Sequence, residues 1–259
     1  MKILFPMAIA LTTLSLVACT EGGDVYVSDP GTSSASSAAA LECAIVPGAS
    51  VCDRTIDGVT QADHGRVLDA LQAVSDFVGI TESTRNELEE ACRAIVAETS
   101  GASPTVPSIS TPRERLRIVC SAAHDAIIAA EHGVLRIEVR PSSCPEAPVR
   151  TCSAPVNAGV PPCDPSTVTV STPEGASAVT AAVGAALSHH VGVFFTVKGR
   201  FETLASITRQ LTANADALGL LPSECIASST RLVTDAQSSV DGLVASMSAV
   251  ADAATSISR

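Results

Sequence analysis

The chain has 259 residues, 46% of them apolar, and a mean hydropathy of +0.33, which is enough for one sizeable domain and excludes a wholly disordered protein. Trp is absent and the aromatics are only Tyr26, Phe5, Phe77, Phe194, Phe195 and Phe201, so the core is aliphatic and there are too few rings to stack nucleic-acid bases. Sixteen basic residues against 27 acidic ones give a net charge of −11, which repels phosphate backbones and argues against DNA or RNA as a partner.

The N-terminus begins with a positive charge at Lys2, continues as an apolar run over residues 3–11, softens to Leu16, and ends in Leu16-Val17-Ala18-Cys19. A bacterial lipoprotein signal has this form: a short apolar region, a small-residue turn, then a cysteine that is acylated before cleavage. Residues 1–18 are therefore expected to be removed and Cys19 to become a lipidated first residue. The competing reading is an ordinary secreted protein cut nearby, or an uncleaved apolar helix that contains a cysteine. Each buried CH₂ of an acyl chain contributes about 0.8 kcal/mol, so two or three chains hold a protein on a bilayer without a spanning helix. Loss of Lys2 leaves 15 basic and 27 acidic residues, a balance of −12 that does not attract anionic lipid, so membrane attachment rests on Cys19 alone. Thr20, rather than Asp, after the lipidated cysteine favours outer-membrane sorting. Residues 176–197 form a second apolar stretch, but His189 and His190 lie inside it, and a buried helix is expected there.

Eight cysteines remain: Cys43, Cys52, Cys92, Cys120, Cys144, Cys152, Cys163 and Cys225. An even set in an exported chain reads as disulfides, and the absence of C-x-x-C argues against a zinc ribbon or a thioredoxin-like site.

Residues 19–42 are rich in Gly, Ser, Ala, Thr and Asp, cannot bury enough apolar area to offset chain entropy, and form a flexible tether reaching a few tens of ångström. Residues 43–259 form the disulfide-stabilised helical domain. After a Pro47-Gly48 turn, a first helix is predicted from Thr60 to Val78, with Val67, Leu71, Val74 and Val78 on one stripe and Gly79 ending it. A second starts at a capping box, Thr84 to Glu87, and aligns Leu88, Cys92 and Ile95. A Ser/Pro-rich loop follows. A third opens with Thr111-Pro112-Arg113-Glu114, aligns Leu116, Cys120, Ala123 and Ile127, and stops at Gly133. Cys92 and Cys120 lie at similar heights on an antiparallel pair, about 10 to 12 Å from the connecting loop, and are expected to be bridged.

Leu135, Ile137 and Val139 alternate with charged residues, so residues 134–140 read as a strand whose partner is 166–171. The Pro/Cys-rich excursion between them, 141–165, is too long for a tight hairpin. Thr172-Pro173-Glu174 starts a further helix through His190, with Gly192 either kinking it or dividing it from the next. Val197, Phe201, Leu204, Thr208, Leu211, Ala215 and Leu218 then keep 4-3 spacing, and residues 219–222 reverse the chain. In the last helix Ile226, Val233, Val240, Met247 and Ala254 recur every seven residues, and Ser229, Ala236, Leu243, Val250 and Ile257 fill the d positions. The fold class expected is mainly α: an elongated helical bundle with an antiparallel C-terminal helical hairpin, coiled along its seam, and a small two-stranded β-ribbon.

Cys92 and Cys120 in successive Ala-rich helices, a strand running from Arg136 toward Cys144, the segment Cys163-Asp164-Pro165-Ser166-Thr167-Val168-Thr169-Val170-Ser171, and Cys225 at a helix start together resemble a group of Ala-rich, Cys-containing exported proteins and lipoproteins of myxobacteria and related bacteria. The resemblance covers most of residues 43–257 and implies the same architecture. In those proteins the excursion between the strands is often longer and richer in Cys, and no biochemical activity attaches to the group.

No G-x-S-x-G, H-E-x-x-H, Walker A or G-x-G-x-x-G occurs, so no catalytic or cofactor-binding residue is expected and the protein is read as no enzyme. No metal set is expected either, since His124-Asp125 and Glu131-His132 are about 10 Å apart along one helix. His189-His190 reads as a hydrogen-bonded pair at the core edge, in preference to a pH-sensitive seam or a ligand. Arg113, Arg115 and Arg117 crowd the positive end of a helix and call for facing acids or solvent. The function expected is a structural or protein-interaction role at the envelope, with an unknown envelope protein as partner. A binding module for a small apolar ligand between helices is the alternative.

Overall fold

The computed structural model describes residues 44–140, 150–152 and 167–258. The signal sequence, Cys19, the whole tether, Cys43, Cys144 and Cys163 lie outside those residues. The elements are α1 (Gln61–Ser100), α2 (Pro112–Ile128), β1 (Arg136–Arg140), β2 (Thr167–Ser171), α3 (Ala178–Ala213), α4 (Ala215–Leu218) and α5 (Ser223–Ile257). The molecule is thus mainly helical with one two-stranded antiparallel sheet, in the register Arg136 opposite Ser171 to Arg140 opposite Thr167.

The helix starts follow from their caps. Thr60 Oγ1 accepts from Asp63 N at 3.3 Å, and Thr111 and Glu114 close a reciprocal capping box behind Pro112. Two expected boundaries are absent. One unbroken helix of 40 residues replaces the two predicted on either side of Gly79. Glycine in a helix costs only about 1 kcal/mol relative to alanine, too little to end a well-packed one. Its reason here is space, because a Cβ at position 79 would lie 2.5 Å from Gly48 N in the Pro47-Gly48 turn that crosses the helix. Thr84 is buried inside that helix, and Glu87, instead of capping, pairs with Arg200 at 2.8 Å. Likewise α3 begins not at Thr172 but after the N-cap Ser177, whose Oγ accepts from Thr180 N at 3.2 Å. Thr172 lies across Gly184, where a Cβ would stand 2.2 Å from its Oγ1. Through Gly192 the helix continues without a break.

α1 is the spine. Residues 70–78 are all buried, so this stretch is covered on every side rather than along one stripe. α3 packs on one side of it and α2 with α5 on the other. The register is fixed by pairs: Glu98 with His189 and His190, and Glu87 with Arg200, set α3 antiparallel to α1. Arg113 with Ser238, and His132 with the Ser256 carbonyl, set α5 alongside α2 in the same direction. Glu89 with Arg115 and Cys92 with Cys120 show that α2 runs parallel to α1 instead of antiparallel as expected, because the loop over residues 101–111 is long enough to carry the chain back.

The two C-terminal helices therefore form an antiparallel hairpin, but the coiled seam expected between them is not there. α3 and α5 make little contact with each other, because α1 and α2 take up the faces that the 4-3 spacing marks out. Val240, Met247, Ala254, Ser229, Ala236, Leu243, Val250 and Ile257 are buried as the heptads require, while the first two a positions, Ile226 and Val233, are only half-buried. A heptad specifies which face is hidden, and a helix long enough to offer two sides can hide both arms.

At one end of the bundle Leu135 is fully buried, and its backbone N donates to the Ile257 carbonyl at 3.4 Å. From there the β-ribbon leaves the core: Ile137 is half-buried and Val139 exposed. At the other end a smaller cluster of Val51, Ile56, Val67, Leu68, Leu71, Ala217, Leu221 and Cys225 closes the structure.

Candidate functional site

Glu98 stands in the last turn of α1, three residues before Gly101 ends the helix in a left-handed conformation. The antiparallel register brings residues 189 and 190 of α3 opposite it. Neighbouring residues on a helix point about 100° apart, and the two imidazoles reach the carboxylate from either side. His190 Nε2 is 2.6 Å from Glu98 Oε1, and His189 Nδ1 is 3.1 Å from Glu98 Oε2. The rings meet edge to face with centroids 5.9 Å apart. His190 is the most sheltered of the three at 24% side-chain exposure, against 37% for Glu98 and 64% for His189. The hydrogen bond from His190, reinforced by His189, holds the Glu98 carboxyl below its usual range. The sequence shows the His-His pair but not its acid, which lies 91 positions away from His189 and is chosen only by how α3 registers on α1.

A second polar constellation fastens the N-terminal segment. Inside the covered stretch of α1, Gln72 Oε1 accepts from Val51 N at 2.9 Å, and Ser75 Oγ donates to the carbonyls of Val46 and Ala49 at 2.9 Å each. Asp76, buried, accepts from Gln72 Nε2 at 2.8 Å and forms an ion pair with Arg150. Arg150 also donates to the Gly48 carbonyl at 2.9 Å. Next to it Cys152 is bonded to Cys52, Cα to Cα 5.0 Å, and Cys152 N donates to Asp69. The partners are loop backbone groups, the disulfide and the Arg150 guanidinium, all of which tie loops to α1, so this network serves folding.

Cys92 and Cys120 are bonded, with Cα atoms 5.0 Å apart, the expected pair, although it joins two parallel helices and not the antiparallel ones from which helix heights predict it. Cys225 is disulfide-bonded as well, to a cysteine outside the described residues. Of the arginine cluster, Arg115 lies 3.5 Å from Glu89, which also holds Arg93 at 2.7 Å, so facing acids are present as the helix end requires. Arg113 and Arg117, with His124, Ser121, Gly242, Ala245 and Ala249, border a groove of about 670 Å³ between α2 and α5. The stem of Arg113 lies over Gly242, where a Cβ would be 3.1 Å from its Cγ. His124 turns to its own neighbour Asp125 at 3.0 Å, while Glu131 and His132 lie beyond the end of α2, so these four do not converge.

α3 is long and apolar enough, by length and composition, to cross a bilayer. Its residues Val183, Ala186, Leu187, Val191, Phe194 and Val197 are buried in the bundle. Compared with protein-family models, curated proteins and solved structures, the chain matches none. What it does is argued from its own residues.

Proposed function

We propose that the protein is a lipid-anchored component of the bacterial cell envelope with a structural or protein-interaction role. The signal is cut before Cys19, acyl chains on that cysteine hold the molecule on the outer membrane, and residues 19–42 tether the helical domain on the periplasmic or cell-surface side. The observation that carries this reading is the state of the cysteines. Cys52, Cys92, Cys120, Cys152 and Cys225 are all disulfide-bonded, which fits an oxidising compartment outside the cytoplasm. The resemblance to exported myxobacterial proteins supports the same placement.

A spine of 40 residues, about 60 Å long, braced on two sides and stapled, is a stiff spacer. Among the described residues Val244 is the single large apolar side chain of α5 that is well exposed, so a protein partner meets a polar face there. The groove between α2 and α5 favours the second reading, a binding module. Its volume is in the range of ligand sites, and a lining that sets Arg113, Arg117 and Glu114 beside alanine and glycine suits an amphiphile with a polar head better than a wholly apolar molecule.

Mass spectrometry of the N-terminal peptide from native membranes tests the anchor. The expected result is an acylated Cys19, with Cys19→Ala releasing the protein in soluble form and globomycin causing the precursor to accumulate. An unmodified Cys19 together with globomycin-insensitive processing would overturn it.

A further inference from the structure

We infer that Glu98, His189 and His190 bind one divalent transition-metal ion, zinc by the chemistry of the donors, across the junction of α1 and α3. One carboxylate oxygen and two imidazole nitrogens lie within 4.8 Å of one another. Zinc takes nitrogen and oxygen ligands at about 2.0 to 2.2 Å in tetrahedral array, which sets neighbouring donors roughly 3.3 Å apart. The present separations of 2.6 and 3.1 Å, to the two different carboxylate oxygens, are both somewhat shorter than that value, so the three side chains must part by a few tenths of an ångström to admit an ion. The ion takes the place of the shared protons between the imidazoles and the carboxylate.

The donor set decides the class of metal. Two imidazoles with one carboxylate suit zinc and its borderline neighbours, whereas calcium and magnesium call for oxygen ligands only. Three protein ligands leave one position to water, and the exposure of His189 leaves the approach open. The net charge of −11 adds a general attraction for a cation. The site is also held in place from outside itself, since the Glu87–Arg200 pair three turns away locks the same register. A bound ion would join the last turn of α1 to α3, a brace on the side of the spine opposite the Cys92–Cys120 bridge.

The test is calorimetric titration of the tag-free, disulfide-intact full chain in detergent with zinc chloride. One saturable site per chain is expected, with Glu98→Gln and His190→Ala each weakening it by roughly tenfold or more. His124→Ala and His132→Ala, which lie elsewhere, should leave it unchanged. Cobalt(II) substituted for zinc should give the visible absorption of a four-coordinate site in the parent chain and not in His190→Ala. Far-UV circular dichroism without metal separates a lost site from a lost fold, and a variant that unfolds is replaced by His189→Gln. Absence of saturable binding overturns the inference, and so does binding that survives Glu98→Gln, since the ion would then sit on the histidine pair alone. Neither outcome depends on whether Cys19 is acylated.

Discussion

Gly79 and Gly192 both sit inside long helices, yet a methyl group added to each should have opposite effects. At Gly192 nothing lies within 4 Å of the new atom, so Gly192→Ala should stabilise by up to about 1 kcal/mol through helix propensity. At Gly79 the methyl would meet the backbone of Gly48, and a loss of about 1 to 3 kcal/mol from overpacking should outweigh the propensity gain. Urea midpoints of the two variants check both signs. Glu114 gives a pH-dependent case. The Thr111 backbone N–H, helped by the Thr111 hydroxyl, holds its carboxyl below the ordinary value of about 4.3. A depressed folded pKa contributes stability that is fully present above the unfolded value and is lost as pH falls through the folded one. Thr111→Ala removes only the hydroxyl and keeps the backbone N–H, so it should raise the Glu114 pKa part of the way toward its ordinary value, read by NMR titration, and slightly flatten the acid limb of the stability curve.

Among elements, the N-terminal loop and the spine depend on each other most. Asp76 is buried, and Arg150 is its ion-pair partner across 74 positions of sequence. Removing the guanidinium leaves a buried carboxylate with Gln72 as the remaining side-chain donor, so Arg150→Ala should cost about 3 kcal/mol in chemical denaturation. The α1–α2 pair rests on its bridge in another way. Cys92 and Cys120 are 28 positions apart, and closing a loop of that size in the unfolded chain is worth roughly 3.5 kcal/mol on the chain-entropy model. The double variant Cys92→Ser, Cys120→Ser should lose at least this much, since two hydroxyls then replace buried sulfurs. A smaller drop in the denaturation free energy would count against the entropic account.

For the whole molecule the central position of α1 governs cooperativity. Its residues belong to both the main core and the smaller cluster around Val51 and Leu221, so neither can melt while the other keeps the spine intact. One transition is expected, with circular dichroism and hydrogen exchange giving coincident midpoints. Reduction of Cys52–Cys152 should shift that transition to lower denaturant without splitting it. Two separated midpoints would show that the ends of α1 unfold independently.

Local chemistry is sufficient for part of this architecture. The helix start at Thr60, the box at Thr111 and Glu114, the alternation over residues 135–139 and most of the buried heptad positions of α5 each depend on neighbours a few residues apart, and spacing alone reveals them. The pairing of Cys92 with Cys120 is also legible in the sequence, but the antiparallel geometry behind that reading is not what forms it: residues 101–111 carry the chain back so that α2 runs parallel to α1, with Arg115 beside Glu89 and Cys120 beside Cys92. Only the tertiary structure decided that α1 runs on through Gly79, that the heptad faces of α3 and α5 turn to α1 and α2, and that Glu98 stands between His189 and His190. Periodicity marks a face as apolar but does not identify the surface that covers it. That choice is made by burial summed over the whole bundle, among helices whose aliphatic faces are chemically alike.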